Sequence, residues 1–140
     1  MVELHGMPSA MTIGMKAKQL EDLQVYRKAL EGVVAVSPLL KKVRDRKDFD
    51  LLAQLSASSG NIPGHIAEGY GQLTDKHFAH YLGIARGSAQ ETRGHLACCV
   101  KKEHISSEDE RRVSAIYADL GRMLTAFINY LRESDYHDRW

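Results

Sequence analysis

The sequence predicts an all-α protein built as an antiparallel up-down-up-down four-helix bundle. Apolar residues recur at spacings of three and four through four successive segments, and only short polar links separate those segments. No stretch alternates as a half-buried strand would, and no repeat of fixed period occurs. With 140 residues, 44% of them apolar, the chain fits one domain with a sizeable core. The expected organisation is a tail over 1–18, the bundle over 19–133 and a short tail over 134–140.

Residues 1–18 lack helical periodicity and carry Gly6, Pro8 and Gly14, with Met7, Met11 and Met15 as alternative starts. Helix one begins near Leu20. Its stripe is read as Leu23, Tyr26, Leu30, Val33, Val34, Leu40 and Val43, and Pro38 should kink the helix or restart it. The mixed-sign run from Lys41 to Asp48 reads as the connection that ends it. Helix two carries the seam Leu52, Leu55, Ser59, Ile62 and Ile66, a bend at Pro63, and Gly69 with Gly71 as its stop. For helix three, Thr74 or Asp75 is the expected N-cap, and Leu73 is placed to staple against Phe78. Its core stripe is Phe78, Tyr81, Leu82, Ala85, Ala89, Thr92, Leu96 and Cys99. Helix four should open on a capping box, Ser107-Glu108-Asp109-Glu110, and bury Val113, Tyr117, Leu120, Leu124, Phe127 and Leu131.

Nineteen Lys plus Arg against eighteen Asp plus Glu leave a net charge of +1, so no global field favours a polyanion. A nucleic-acid role would have to rest on a local patch. Lys41, Lys42, Arg44, Lys47, Lys101 and Lys102 are the candidates, although Asp45 and Asp48 interleave the first group. Cys98 and Cys99 are neighbours on one helix, read as reduced core thiols. No apolar run approaches a membrane span, and Glu3, His5, Gly6, Pro8 and Ser9 break up the N-terminus where a signal core would lie. A cytoplasmic location is the expectation.

Several residues together carry a family resemblance: Asp22-Leu23-Gln24-Val25-Tyr26 with Ala29, Gln54 with Ile62-Pro63 and Ile66-Ala67-Glu68-Gly69, and Ala85-Arg86-Gly87-Ser88 with Glu91. Over Asp22 to about Leu131 the chain resembles the four-helix-bundle family of proteins encoded in intervening sequences of bacterial large-subunit ribosomal RNA genes. That family also takes in the accessory variability determinant of diversity-generating retroelements. The resemblance implies a homopentameric ring and, for the retroelement members, a basic surface that binds nucleic acid and a reverse transcriptase. It marks Gln54, Pro63, Glu68, Gly69, Arg86, Gly87, Ser88 and Glu91 as structural or assembly residues. Two departures weaken the nucleic-acid implication: Ser56 and Ala57 stand where members often have adjacent arginines, and His65 replaces the usual asparagine before Ile66-Ala67-Glu68-Gly69.

Glu68 and Arg86 fall within apolar helical surroundings, so they are expected to pair, across helices two and three or across a subunit boundary, with Glu91 as a competing partner. No glutamate is followed three residues later by histidine, which excludes the usual four-helix di-iron site. His77 with His80 and Glu91 with His95 share helix faces, but exposed helical histidines explain them without a metal. His65 is expected to bond the backbone freed by Pro63. No phosphate loop, nucleophile elbow or zinc-finger spacing occurs. Gly83, Gly87 and Gly94 suggest close helix–helix approach. The expectation is a non-enzymatic, cofactor-free, homo-oligomeric assembly or adaptor protein that presents a surface to a nucleic acid or protein partner. The alternatives are a direct RNA- or DNA-binding accessory of a reverse transcriptase and, last, a metal-dependent enzyme.

Overall fold

A 3-10 turn, Leu20–Asp22, precedes four helices in the computed structural model, which describes residues 17–133: α1 Gln24–Asp45, α2 Phe49–Tyr70, α3 Asp75–Lys101 and α4 Ser107–Glu133. No strand occurs among the described residues. Residues 1–16 and 134–140, which hold most of the expected tails, lie outside the described residues. Consecutive helices pack side by side, and α4 closes back onto α1.

Side-chain oxygens start three of the helices. Asp48 Oδ1 accepts from Leu51 N at 3.3 Å, Thr74 Oγ1 from His77 N at 3.2 Å, and Ser106 Oγ from Asp109 N at 3.0 Å. The cap of α4 is therefore Ser106 and not Ser107, which already lies in the first turn. Two helices end alike. Lys47 and Glu103 adopt φ of 60° and 62°, and each turn closes with the paired bonds of a Schellman motif. Lys47 N bonds Arg44 O and Asp48 N bonds Val43 O; Glu103 N bonds Val100 O and His104 N bonds Cys99 O. Because α1 runs to Asp45, Lys41–Asp45 form its last turn and are not part of the connection. Pro38 and Pro63 both lie inside unbroken helices, so Pro38 does not restart α1.

The core stripes of α2, α3 and α4 match the sequence reading closely, while that of α1 is displaced. Val25, Ala29, Gly32, Val36, Leu39 and Val43 face inward on α1, whereas Leu30 and Val34 are 40% and 73% exposed. The reason lies opposite Gly32: a Cβ there would come within 2.7 Å of Tyr117 Cζ and 2.8 Å of its hydroxyl. The large ring of Tyr117 needs a glycine on α1, and that contact fixes which face of α1 turns inward.

On α2, Leu51 is buried and Leu52 only half-buried. Gly69 is not a stop but a packing notch, since a Cβ there would lie 2.9 Å from both Phe78 Cδ1 and Tyr81 Cβ. Leu73 is 66% exposed and forms no staple with the buried Phe78. The buried hydroxyls are satisfied internally: Thr92 Oγ1 lies 2.9 Å from Ser58 Oγ, and Ser59 Oγ donates to Leu55 O at 2.7 Å. Tyr117 differs. Its hydroxyl is buried without a partner, and burial pushes the phenol far above its ordinary pKa. Tyr117→Phe removes that orphan group while keeping the ring, so chemical denaturation should show stability unchanged or raised by up to about 1 kcal/mol.

Candidate functional site

The predicted basic residues gather where the α1–α2 and α3–α4 turns meet. Arg46 Nη1 donates to Glu103 O at 2.7 Å, tying one turn to the other. Asp48 completes the joint: besides capping α2, its Oδ2 accepts from His104 Nε2 at 2.8 Å and Lys102 Nζ at 2.9 Å. Lys42 is likewise engaged, by Asp109 on α4 at 2.7 Å. Two of the six candidate cations, Lys42 and Lys102, thus hold the bundle together. Lys41, Arg44, Lys47 and Lys101 are exposed among Asp45, Asp50, Glu103 and Glu108, a mixed surface and not a basic one.

The His104 and Lys102 hydrogen bonds hold the Asp48 carboxyl at about 2, below its ordinary 3.8. A depressed carboxylate pKa means that the folded state binds its proton less readily than the unfolded chain. The stabilisation is therefore present above pH about 4 and is lost as pH falls from there through about 2. Acid unfolding of Asp48→Asn, followed by circular dichroism, should show a flatter stability profile in that window than the parent chain.

Neighbouring Cys99 is buried, and burial raises its thiol to about 11, which suits a packing role. Cys98 is exposed, contrary to the expectation that both thiols are core residues.

The motif residues separate into two groups. Gly69 is buried and packs α2 on α3, whereas Gln54, Glu68, Arg86, Gly87 and Glu91 are exposed, with Pro63 and Ser88 half-buried. Glu68 and Arg86 do not pair within the protomer. The surroundings read as apolar are in fact outer faces, and Arg86 Nη1 instead donates to Thr125 Oγ1 on α4 at 3.1 Å. Glu91 pairs along its own helix with His95 at 3.2 Å. His77 Nδ1 lies 2.8 Å from the Thr74 hydroxyl. No cluster of three metal-ligating side chains occurs among the described residues. His65, half-buried on α2, makes no bond to the backbone freed by Pro63 among the described residues. Gly83, Gly87 and Gly94 do not serve packing among the described helices. A Cβ on any of them, or on Gly60, Gly64 or Gly121, would meet nothing of the described residues within 4 Å.

Between α3 and α4 runs a groove of about 640 Å³. Its walls carry Arg86, Arg93 and Arg122, and most of the rest is small: Gly83, Gly87, Ala89, Ala118 and Gly121. Arg93 Nε donates to Ser114 Oγ at 3.0 Å, and its Nη1 lies 3.5 Å from Gln90 Oε1. Arg122 is paired with Asp119. Sequence reading singled out Arg86 and two of these glycines but missed Arg93, Ser114, Arg122 and Thr125. The available signal was Arg86 and Arg93 one heptad apart on α3, on the side where the glycines leave room.

A four-helix, all-α protein with small-residue outer faces is the class defined so far. The chain matches the sequence profile of the 23S rRNA-intervening sequence protein over residues 21–126, and it belongs to that family. Among solved structures it is similar to a protein of unknown function from the S23 ribosomal protein family of Bacteroides thetaiotaomicron. The two share 27% identity and a TM-score of 0.70, covering 74% of this chain and 97% of that one. No curated protein matches the sequence. No helix among the described residues is long and apolar enough to cross a membrane.

Proposed function

We propose that this protein is a non-enzymatic assembly protein, an antiparallel up-down-up-down bundle whose copies join into a closed ring that presents a surface to a partner. The observation that carries this reading is the exposed pair Leu30 and Val34, one turn apart on the outer face of α1. Sequence periodicity marks that stripe as core, yet the described residues leave Val34 mostly uncovered and Leu30 partly so.

The glycines support the same reading. In a helix interior each costs about 1 kcal/mol relative to alanine. Gly60 and Gly64, with the exposed Ala53 and Ala57, leave the outer face of α2 bare enough for another helix to approach closely. A patch that meets a different patch on the next copy closes into a ring when the rotation allows it, and five copies is the number the family resemblance implies.

Sedimentation velocity on the whole chain across micromolar concentrations tests the proposal. The expected result is one discrete species several times the 15.7 kDa protomer mass. A well-folded monomer throughout that range overturns it.

A further inference from the structure

We propose that the α3/α4 groove binds a phosphate chain, of the kind carried by a nucleoside di- or triphosphate or by free polyphosphate. The inference is independent of assembly and rests on charge, tethering and space in that groove.

Charge comes first. Three arginines line one groove, and among the described residues only Arg122 is paired with a carboxylate, that of Asp119. Among the described residues Arg86 and Arg93 have no carboxylate partner; they are held by Thr125, Ser114 and Gln90, all uncharged. Like charges gathered along one groove repel each other, and an anion between them removes that repulsion.

The tethers matter because they orient without discharging. Thr125 Oγ1 gives its own proton to Gly121 O at 2.9 Å, which leaves its lone pairs for Arg86. A guanidinium carries five N–H donors in a rigid fork suited to phosphate oxygens, and most of those on Arg86 and Arg93 are uncommitted. Holding the forks in place beforehand reduces the ordering cost of binding.

Space is the third observation. Gly83, Gly87 and Gly121 line the groove with open space where a Cβ would stand, so any larger residue would begin to fill it. A volume of about 640 Å³ suits a small molecule. Arg86 and Arg93 are one heptad apart, about 10 Å along the axis, so the ligand's negative charge should be extended and not a point. Apart from the buried Tyr117, the lining offers no large apolar side chain to anchor a peptide, which favours a compact polar anion over an acidic protein segment.

Isothermal titration calorimetry of the full chain with tripolyphosphate and, separately, with ATP tests the proposal. Saturable binding of tripolyphosphate is expected. Equal affinity for ATP would assign recognition to the phosphates alone, and tighter ATP binding would add a contact to the nucleoside; both support the proposal. Arg86→Gln with Arg93→Gln should weaken binding at least tenfold and leave sedimentation unchanged. Lys41→Gln with Arg44→Gln, the same charge change elsewhere, should leave affinity within twofold. Gly87→Leu should abolish binding while the helix melts no earlier than in the parent chain.

Absence of tripolyphosphate binding at millimolar concentration overturns the proposal, as does equal loss in both charge variants or undiminished binding by Gly87→Leu. A shift of oligomeric state in Arg86→Gln with Arg93→Gln, without anion binding by the parent, would reassign the groove to a contact between copies and also overturn it. A monomer that binds tripolyphosphate would remove the ring reading and leave this one standing.

Discussion

Phe78→Ala is expected to lower the free energy of unfolding by about 3–5 kcal/mol, the range for truncating a buried aromatic ring. Phe78 is the junction of three helices. Its ring meets Phe127 of α4 edge-on at 5.0 Å and Tyr70 of α2 at 6.3 Å, and its edge enters the notch left by Gly69. Surrounding atoms cannot easily collapse into the vacated space, because the notch is backbone and Phe127 is itself buried. Set against a typical total of about 5–15 kcal/mol, that loss is large. The reciprocal change, Gly69→Ala, should cost about 1–3 kcal/mol by overpacking. Combined with Phe78→Leu it should cost less than the sum of the two single changes, since they share one contact. Rescue will be partial, because Tyr81 Cβ crowds the same spot. Urea denaturation at one fixed protein concentration measures all of these, and a loss below about 1 kcal/mol for Phe78→Ala would contradict the packing described.

The unequal legibility of the helices has a physical cause. On α4 the large residues Val113, Tyr117, Leu120, Leu124, Phe127 and Leu131 form a single stripe at the right spacing, so periodicity alone finds the buried face. On α1 the true core stripe is diluted by Ala29 and Gly32, while Leu30 and Val34 supply a competing apolar stripe. Which stripe turns inward depends on Tyr117 of α4, and a one-helix pattern cannot encode its partner's bulk. Glycines deceive in the same way. Gly69 looks like a stop because glycine commonly ends helices, yet the rings of α3 decide its role. The α3/α4 groove was least legible: Arg93, Ser114, Arg122 and Thr125 are each ordinary polar helix residues, and only packing across two helices brings them together. Among the basic candidates, sequence grouped the residues of one possible patch but could not show that Asp109 and Asp48 consume Lys42 and Lys102.

Leu30→Glu combined with Val34→Glu should convert the assembly into folded monomers at micromolar concentration. Val34 is 73% exposed in the protomer, so its substitution should change protomer stability by no more than about 0.5 kcal/mol; Leu30, 40% exposed, gives up some internal contact and should cost about 1 kcal/mol, too little to unfold the bundle. Between copies the balance reverses. A carboxylate pressed into an apolar contact without a partner costs several kcal/mol, and a loss of about 3 kcal/mol already weakens association more than a hundredfold. Far-UV circular dichroism should therefore stay unchanged while sedimentation shifts to the protomer mass. Gly60→Leu with Gly64→Leu probes the outer face of α2 by a different route, replacing two helix-weakening residues with strong helix formers that fill the approach surface. If the glycine variant dissociates and the glutamate variant does not, α2 carries the contact and the α1 stripe does not. If both remain assembled, neither face joins the copies, and the open space around those glycines requires an explanation other than a neighbouring helix.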